Sequence, residues 1–306
     1  MKQLLTLFSR VSLLSLLLAV WAAPAAHAQG DLLGQLDAES KKDAPNELVD
    51  ATFKSTRLIN GHTVQTPGEG TLVFLIEHRI GPLNSGAYNF YGLDQAKMRL
   101  ALEYAINDRL EIGLGRSTLD KTVDGFVKLR ALRQSTGAHA MPVSVTLFAS
   151  SAVTTLHYDD NIDHTFSLRS TYSYQALIAR KFSTDFSLQF MPTLIHRNLV
   201  MNEGPKNDIY ALGVGGRYKL TKRFSLNAEY YYNFDQYTRD HFQNSLALGV
   251  DIETGGHIFQ LMLTNAQGMI EKQFIGETND NFFKGGIYFG FNINRNFTVK
   301  QRRHKM

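Results

Sequence analysis

The stretch Ile287-Tyr-Phe-Gly-Phe-Asn-Ile-Asn294 alternates between two kinds of residue, and this alternation decides the fold. Its odd-numbered positions are all Ile or Phe, whereas its even-numbered positions are Tyr, Gly or Asn. Strict alternation over four to eight residues is typical of a β-strand with one apolar and one polar face. The segments Phe224–Phe234 and Ser245–Ile252 repeat the pattern, so the sequence predicts a β protein.

Similar segments recur from about residue 71 onward, and the connections between them alternate between short and long. Face alternation fixes some turns: Ile106 and Leu110 share a face only if the turn is Asn107-Asp108-Arg109. In total we predict twelve strands, at 71–79, 97–106, 110–116, 123–132, 143–153, 165–180, 185–196, 209–220, 224–234, 245–252, 257–265 and 287–294.

Two architectures can use such strands, and the loop lengths separate them. A soluble sandwich has alternating strands but no systematic order of short and long loops. A transmembrane barrel has an even number of strands, short periplasmic turns and longer outer loops. The sequence therefore predicts an all-β fold, a transmembrane antiparallel up-and-down β-barrel of about 12 strands (range 10–14), with both termini in the periplasm.

The N-terminus carries an export signal. Lys2 and Arg10 form a positively charged region that precedes the Leu-rich apolar core Val11–Val20. Ala26-His27-Ala28 then matches the A-x-A cleavage pattern. We predict a signal peptide at residues 1–28, cleaved after Ala28, a flexible periplasmic lead-in at 29–50, and the barrel at 51–306. The predicted location is the outer membrane of a Gram-negative cell.

Composition excludes several classes of function. The chain has 306 residues and no cysteine, which excludes disulfides, thiolate metal sites and a lipidated cysteine. Without Lys2 and Arg10, the chain has 30 basic and 28 acidic residues. Its net charge is therefore close to zero and gives little support to a nucleic-acid partner. We expect no nucleic acid and no cofactor. The expected partners are outer-membrane lipid, the barrel-assembly machinery, for which Phe297 is the nearest C-terminal aromatic, and small polar solutes.

The polar face of the strands should line the lumen and carry the function. Its charged residues, the candidates for solute binding, are Glu77, Arg79, Lys97, Arg99, Glu103, Asp124, Arg169, Arg217, Glu229 and Asp251, with Glu111, Lys128, Arg130 and Lys219 beside them. One hypothesis is a polar conduit in which Arg79, Lys97 and Arg99 favour anions at the outer mouth. The other is that these charges pair across strands and fill the interior, because unpaired buried charge is costly.

Two segments outside the strands bear on the lumen. The long aromatic connection 80–96 is expected to fold inward and constrict the mouth. Residues 51–64 precede the first strand and also alternate, so three alternatives stay open: a plug in the lumen, an added strand, or a periplasmic lead-in.

Catalysis has little support in the sequence. Outer-membrane phospholipases place a His two residues before a nucleophilic Ser, and no His-x-Ser occurs in the chain. The loop 157–164 gathers two His and three Asp, but its spacing matches no metal motif, and we interpret it as a solvated outer loop. No catalytic or metal residue is predicted.

Three stretches together resemble a known family: Ala51-Thr-Phe-Lys-Ser-Thr-Arg-Leu-Ile-Asn-Gly-His62, Phe74-Leu-Ile-Glu-His-Arg-Ile-Gly81, and Phe90-Tyr-Gly-Leu-Asp-Gln-Ala96 running into Leu110-Glu-Ile-Gly-Leu-Gly115. They resemble an uncharacterised family of outer-membrane β-barrel proteins from Bacteroidota-type bacteria. The resemblance implies a location and a fold, and no activity.

Three functions follow from the sequence, in order of preference. The first is passive passage or binding of small polar solutes through a charged lumen. The second is a closed structural or scaffold barrel that acts through its outer loops or its periplasmic segment. The third is a membrane-embedded lipid hydrolase.

Overall fold

The computed structural model describes residues 45–157, 164–199 and 206–300. The predicted signal peptide, residues 29–44 of the lead-in and most of the loop 157–164 lie outside these residues. None of the helices in the described residues is long and apolar enough to cross a membrane.

Twelve antiparallel strands form a closed barrel, which confirms the predicted fold class and strand count. Each barrel strand pairs with its sequence neighbours, and the last strand pairs with the first to close the wall. The barrel strands are β2 (Thr71–Pro82), β3 (Lys97–Ala105), β4 (Leu110–Ser117), β5 (Thr122–Leu132), β7 (Ser144–Thr154), β8 (Ser170–Lys181), β9 (Phe186–Arg197), β10 (Asp208–Lys219), β11 (Phe224–Asn233), β12 (Leu246–Thr254), β13 (His257–Thr264) and β14 (Tyr288–Thr298).

Two short strands form a small sheet outside the barrel. β1 (Glu47–Leu48) pairs with β6 (Ser135–Thr136), which lies in the longest of the turns, between β5 and β7. Two α-helices lie in connections: α1 (Gln236–His241) follows β11, and α2 (Glu271–Gly276) lies between β13 and β14. Short 3₁₀ segments cover Leu83–Ser85, Ala87–Gln95, Leu119–Lys121 and Phe282–Lys284.

The two ends of the barrel differ in the length of their connections. At the end of the barrel where β2 begins and β14 finishes, the turns are tight. In one of them, Ile106 N–H donates to Leu110 O at 2.9 Å. The opposite end carries the long connections, including 83–96 and 265–287. Because outer-membrane barrels keep short turns in the periplasm, we name these the periplasmic end and the outer end.

The strand faces alternate as predicted. In β11, Ser225, Asn227 and Glu229 are buried, while Phe224 and Tyr232 are exposed. These two aromatic residues lie eight positions apart, about 26 Å along the strand, near the two ends of the apolar band. The apolar face therefore points outward to lipid, and the polar face points into the lumen.

Candidate functional site

A hairpin formed by residues 51–67 fills the periplasmic half of the lumen, and we call it the lumen hairpin. Leu58 N–H donates to Gly61 O at 2.8 Å, and Thr63 N–H donates to Thr56 O at 2.9 Å, which closes a tight turn. A Cβ at Gly61 would lie 2.0 Å from the hydroxyl oxygen of Tyr231, so only glycine fits. Of the alternatives left open by the sequence, the structure shows the plug.

The tip of the lumen hairpin is held by charged side chains of the wall. Glu229 accepts from the backbone N–H of Asn60 at 2.8 Å and of Gly61 at 3.2 Å. Arg79 donates to the Asn60 side-chain oxygen at 2.8 Å. Asn292 donates to Ile59 O at 3.0 Å. Backbone groups that would otherwise be buried without partners are therefore satisfied by the wall.

One edge of the lumen hairpin faces β3 and carries a charge. Thr56 donates to Glu103 at 2.7 Å, and Arg57 lies 3.9 Å from the same carboxylate. Arg57 also lies 3.5 Å from Glu271 of α2. The Arg57 guanidinium thus joins the hairpin to two carboxylates in the centre of the barrel.

The other edge of the lumen hairpin faces β7 and β9 through neutral hydrogen bonds, and beyond Val64 it also meets the charged wall, where Lys128 donates to Gln65 O at 2.6 Å. Val64 N–H donates to the Gln189 side chain at 2.9 Å, and Gln189 donates back to His62 O at 2.8 Å. Thr146 donates to Val64 O at 3.0 Å. The two edges therefore meet chemically different sides of the lumen.

A second segment enters from the outer end. We call residues 265–278 the outer plug, and all six residues of its helix α2 are buried. Phe274 packs edge-on against Tyr231 with ring centroids 5.2 Å apart, and Lys272 donates to Thr154 at 3.1 Å. The outer plug meets the lumen hairpin at Glu271, which lies 3.6 Å from His62.

Burial changes the protonation of the groups where the two plugs meet. Burial lowers the pKa of His62 well below its ordinary value of 6.5, and the nearby cations Arg57, Lys128 and Arg99 lower it further. Burial raises the pKa of Glu271, and Arg57 opposes this rise. Near pH 7 the imidazole of His62 is therefore neutral.

The lumen side of β2–β5, which we call the charged wall, holds an ion-pair network. Arg99 pairs with Glu77 and, at 2.5 Å, with Asp124. Lys128 lies 3.2 Å from Glu111. All of these side chains are buried. The structure thus favours the second hypothesis for the charged residues, in which they pair across strands, and their role in solute binding stays a prediction.

The remaining predicted lumen residues lie at different heights of the barrel. Asp251 accepts from Gln260 at 2.8 Å, and Arg217 donates to Ser225 at 2.7 Å, both near the periplasmic end. Arg169 precedes β8 at the outer end and donates to His164 O and Leu156 O. Lys97 lies half-buried at the outer end of β3.

Two of the three cations in the hypothesis of a basic outer mouth lie inside the barrel, while Lys97 is half-buried at its outer end. Arg79 and Arg99 are fully buried, with Arg79 bonded to the lumen hairpin and Arg99 to two carboxylates. Both guanidinium groups therefore lie inside the barrel and do not face solvent at its entrance, and that of Arg99 is neutralised by its ion pairs.

The expectation that 80–96 constricts the mouth is wrong. Tyr88 in this connection is 96% exposed, and Phe90 and Tyr91 are also exposed. The segment that enters the lumen is the outer plug, in the connection 265–287. The physical reason is that α2 matches both parts of the lumen, since Glu271 meets Arg57 while Phe274 and Ile275 join the apolar cluster, whereas the aromatic connection lies over the end of β2.

Several residues of the site escaped the sequence reasoning. Glu271 lies outside the alternating segments, and Arg57 and His62 lie in the stretch 51–64, where alternation left three alternatives open, so strand periodicity does not bring the three residues together. The available signal was length: 265–287 is the longest connection of the outer end, and long connections are often functional.

The lumen side of β7–β9, which we call the neutral wall, differs from the charged wall. Away from the strand ends it presents Thr146, Phe148, Ser150, Ser173, Gln175, Leu177, Gln189, Met191, Thr193 and Ile195, and no charged side chain. Its apolar members belong to one cluster with Leu58 and Phe274. Gly215 of the adjacent β10 makes room for Leu58, because a Cβ there would lie 2.3 Å from the Leu58 side chain.

Within the described residues, no group of three or more His, Asp or Glu side chains could hold a metal ion. The His- and Asp-rich loop 157–164 falls largely outside that part of the chain, so its interpretation stays a prediction.

Fold and site together define a membrane-spanning β-barrel whose lumen is filled by two of its own segments. The chain belongs to the family described as membrane bound beta barrel domain (DUF5777), which matches residues 53–297. This confirms the family resemblance at the level of an outer-membrane β-barrel, and the protein is an outer-membrane barrel. No curated protein matches the chain significantly.

Three of the solved structures of similar shape are two porins and an outer membrane channel. The NanC porin is 8% identical with a TM-score of 0.46, covering 73% of this chain and 97% of its own. The KdgM porin with disordered oligogalacturonate is 10% identical with a TM-score of 0.45, covering 74% and 99%. An outer membrane channel from Pseudomonas putida F1 is 13% identical with a TM-score of 0.46, covering 76% and 97%. Similarities at this level carry no argument about a solute.

Proposed function

We propose that the protein is a plugged channel for small polar solutes, closed in this conformation and opened when the lumen hairpin leaves the wall. The observation that carries the proposal is that the strand ladder closes completely between β2 and β14 without either plug. The lumen hairpin is attached by side-chain hydrogen bonds and ion pairs instead of strand pairing. It can therefore move without breaking the barrel.

The polarity of the lumen supports a polar solute. Charged and hydrogen-bonding side chains occur along the full height of the lumen, from the periplasmic end to the outer end. Several buried atoms there, including Gln175 Oε1, Asn227 Oδ1 and Asn294 Oδ1, have no partner in the protein. Buried polar atoms need water or another polar partner, so the lumen suits hydrated solutes.

Single-channel conductance of the refolded protein, residues 29–306, tests the proposal. The chain has no cysteine, so an Asn60→Cys/Thr264→Cys pair can be joined by a short reducible cross-linker; the two native side chains lie 3.4 Å apart. We expect brief openings in the wild type, none in the cross-linked variant, and recovery on reduction.

Deletion of residues 51–67 is the complementary variant. It should give a steady conductance larger than that of the wild type, because the periplasmic half of the lumen is emptied. Heat-modifiable gel mobility confirms that each variant has folded. A folded deletion variant that never conducts, in bilayers where a known porin does, would overturn the proposal.

A closed scaffold barrel that acts through its outer loops is the second candidate. The observation in its favour is the exposed aromatic connection 83–96, in which Phe90 and Tyr91 have positive φ angles of 45° and 53°. Such strained backbone concentrates at functional sites. A barrel that is silent in conductance and in liposome swelling would favour this candidate.

Several finer expectations accompany the proposal. We infer that the protein acts without catalysis, and a lipid-hydrolysis assay on the refolded barrel tests this. Cleavage after Ala28, insertion by the barrel-assembly machinery and an origin in Bacteroidota stay predictions; mass spectrometry of the exported protein tests the first of them.

A further inference from the structure

A small cavity lies at the periplasmic end of the lumen, between the base of the lumen hairpin and the inner faces of β13, β14 and β2. Its volume is about 180 Å³. Its hydrogen-bonding lining consists of Ser55, Thr56, Gln65 and Thr66 from the hairpin and Asn294 and Asn296 from β14. The cavity therefore exists only while the hairpin is docked.

The lining is rich in neutral groups that both donate and accept hydrogen bonds. Amides and hydroxyls of this kind match the alternating donors and acceptors of a solute with several hydroxyl groups. The one cation at the cavity, Lys54, lies 2.6 Å from Glu253, which neutralises its charge. The cavity thus offers no net charge to attract an anion or a cation.

One buried atom at this cavity lacks a partner. The Asn294 side chain is only 3% exposed, and its Nδ2 donates to the hydroxyl oxygen of Ser55. Its Oδ1 accepts no hydrogen bond from the protein. An unsatisfied buried acceptor is unfavourable, and the hydroxyl group of a bound solute would satisfy it.

We propose that this cavity binds a neutral polyhydroxylated solute of about the size of a monosaccharide. A volume of about 180 Å³ holds roughly six water molecules at about 30 Å³ each, which is comparable to the space that such a solute needs. The site deepens the proposed function, because it would be a solute-binding site on the periplasmic side of the plugged lumen. Its existence rests on the cavity, while its place on a transport route rests on the proposed function.

Isothermal titration calorimetry of the refolded protein tests the site directly, with D-glucose as the neutral probe. Gluconate and glucosamine serve as anionic and cationic probes of similar size. We expect glucose to bind in the millimolar range and the two charged probes to bind at least about tenfold more weakly.

Variants of the cavity sharpen the test. Asn294→Leu should weaken glucose binding about tenfold or more, whereas Asn198→Leu at the outer end should leave it unchanged. Asn294→Asp should raise the affinity for glucosamine relative to glucose, because it places a carboxylate in the cavity. If Asn294→Leu does not fold, Thr66→Val at the rim serves in its place, with a smaller expected loss.

The outcomes separate the two proposals. No glucose binding to the wild type, or equal binding to Asn294→Leu, would overturn the site. If the barrel binds glucose with the expected variant pattern but never conducts, the binding site is supported and the proposal of a channel is overturned. Deletion of residues 51–67 should abolish binding, because the hairpin contributes five of the lining residues named above, Lys54 among them.

Discussion

The charged wall and the neutral wall enclose the same lumen but hold it together by different means. On the charged wall, Arg99, Glu77 and Asp124 form a buried ion-pair network. On the neutral wall, the interior contacts are hydrogen bonds such as that from Gln175 to Thr193, at 2.9 Å, and apolar packing. The lumen hairpin matches this division, with Arg57 on one edge and Val64 on the other.

The difference indicates which contacts of the lumen are costly to break and which can break at a smaller cost in free energy. A buried ion pair is costly to break, because removing one partner leaves an uncompensated charge. A neutral hydrogen bond contributes only about 0.5–1.5 kcal/mol. We therefore expect the charged wall to act as rigid scaffold, and the neutral edge of the lumen hairpin to release first.

The largest effect should come from breaking the charged wall. Arg99→Met leaves Glu77 and Asp124 buried without their cation and should destabilise the barrel by about 3–5 kcal/mol. Gln175→Leu on the neutral wall should cost about 1 kcal/mol. Urea unfolding of the refolded proteins, followed by gel mobility, measures both.

A compensated variant decides whether charge is the cause. Arg99→Met combined with Glu77→Gln and Asp124→Asn removes the unpaired carboxylates and should recover a substantial part of the lost stability. If the triple variant is no more stable than Arg99→Met, lost packing of the guanidinium explains the effect, and the contrast between the walls fails.

A smaller effect should follow from crowding the hairpin on the neutral side. A Cβ at Gly215 would lie 2.3 Å from the fully buried Leu58, so Gly215→Ala should weaken hairpin docking by about 1–3 kcal/mol. Thiol labelling of a Thr63→Cys reporter, buried in the docked hairpin, should then accelerate about tenfold.

The neighbouring glycine provides a matched control. A Cβ at Gly216 would have its nearest contact at 3.5 Å, with Leu188, so Gly216→Ala should leave the labelling rate unchanged. Equal rates in the two variants would show that Leu58 can rotate aside, and that Gly215 does not limit docking.

Much of the fold could be predicted from the sequence, because lipid outside and polar groups inside impose alternation on every strand. The turn Asn107-Asp108-Arg109 follows from the same rule, and Ile106 and Leu110 close it as predicted. At Gly213 on the lumen side of β10, a Cβ would lie 2.4 Å from Tyr231, so the glycine relieves crowding in the lumen.

The site could be predicted only in part, since its contacts join segments that no periodicity relates. Arg57 and Glu271 are 214 positions apart, and neither lies in a strand. Aromatic content suggested that 80–96 folds inward, but the segment that does so combines charged residues with the buried Phe274 and Ile275. Which charges pair depends on the register between neighbouring strands, which places Glu77 of β2 opposite Arg99 of β3. This register is set by the whole closed barrel.

The smallest predicted effect is a dependence of hairpin docking on pH, and it comes from His62. Because burial and nearby cations lower its pKa in the docked state, docking is strongest above pH 6.5 and weakens as pH falls below this value. Each unit of pKa difference contributes about 1.4 kcal/mol. As the pH falls from 8 to 5, the labelling rate of Thr63→Cys in the protein with His62, divided by the rate in the His62→Gln variant, should therefore rise.

Glu271 acts in the opposite direction and explains why the difference between the two proteins must be measured. Its raised pKa means that the docked state takes up a proton, so acidification strengthens docking through this group. That contribution is present with either residue at position 62 and largely cancels in the comparison, as does the intrinsic reactivity of the thiol. A ratio of labelling rates that stays constant across this range would show that the His62 imidazole does not resist protonation when the two plugs meet.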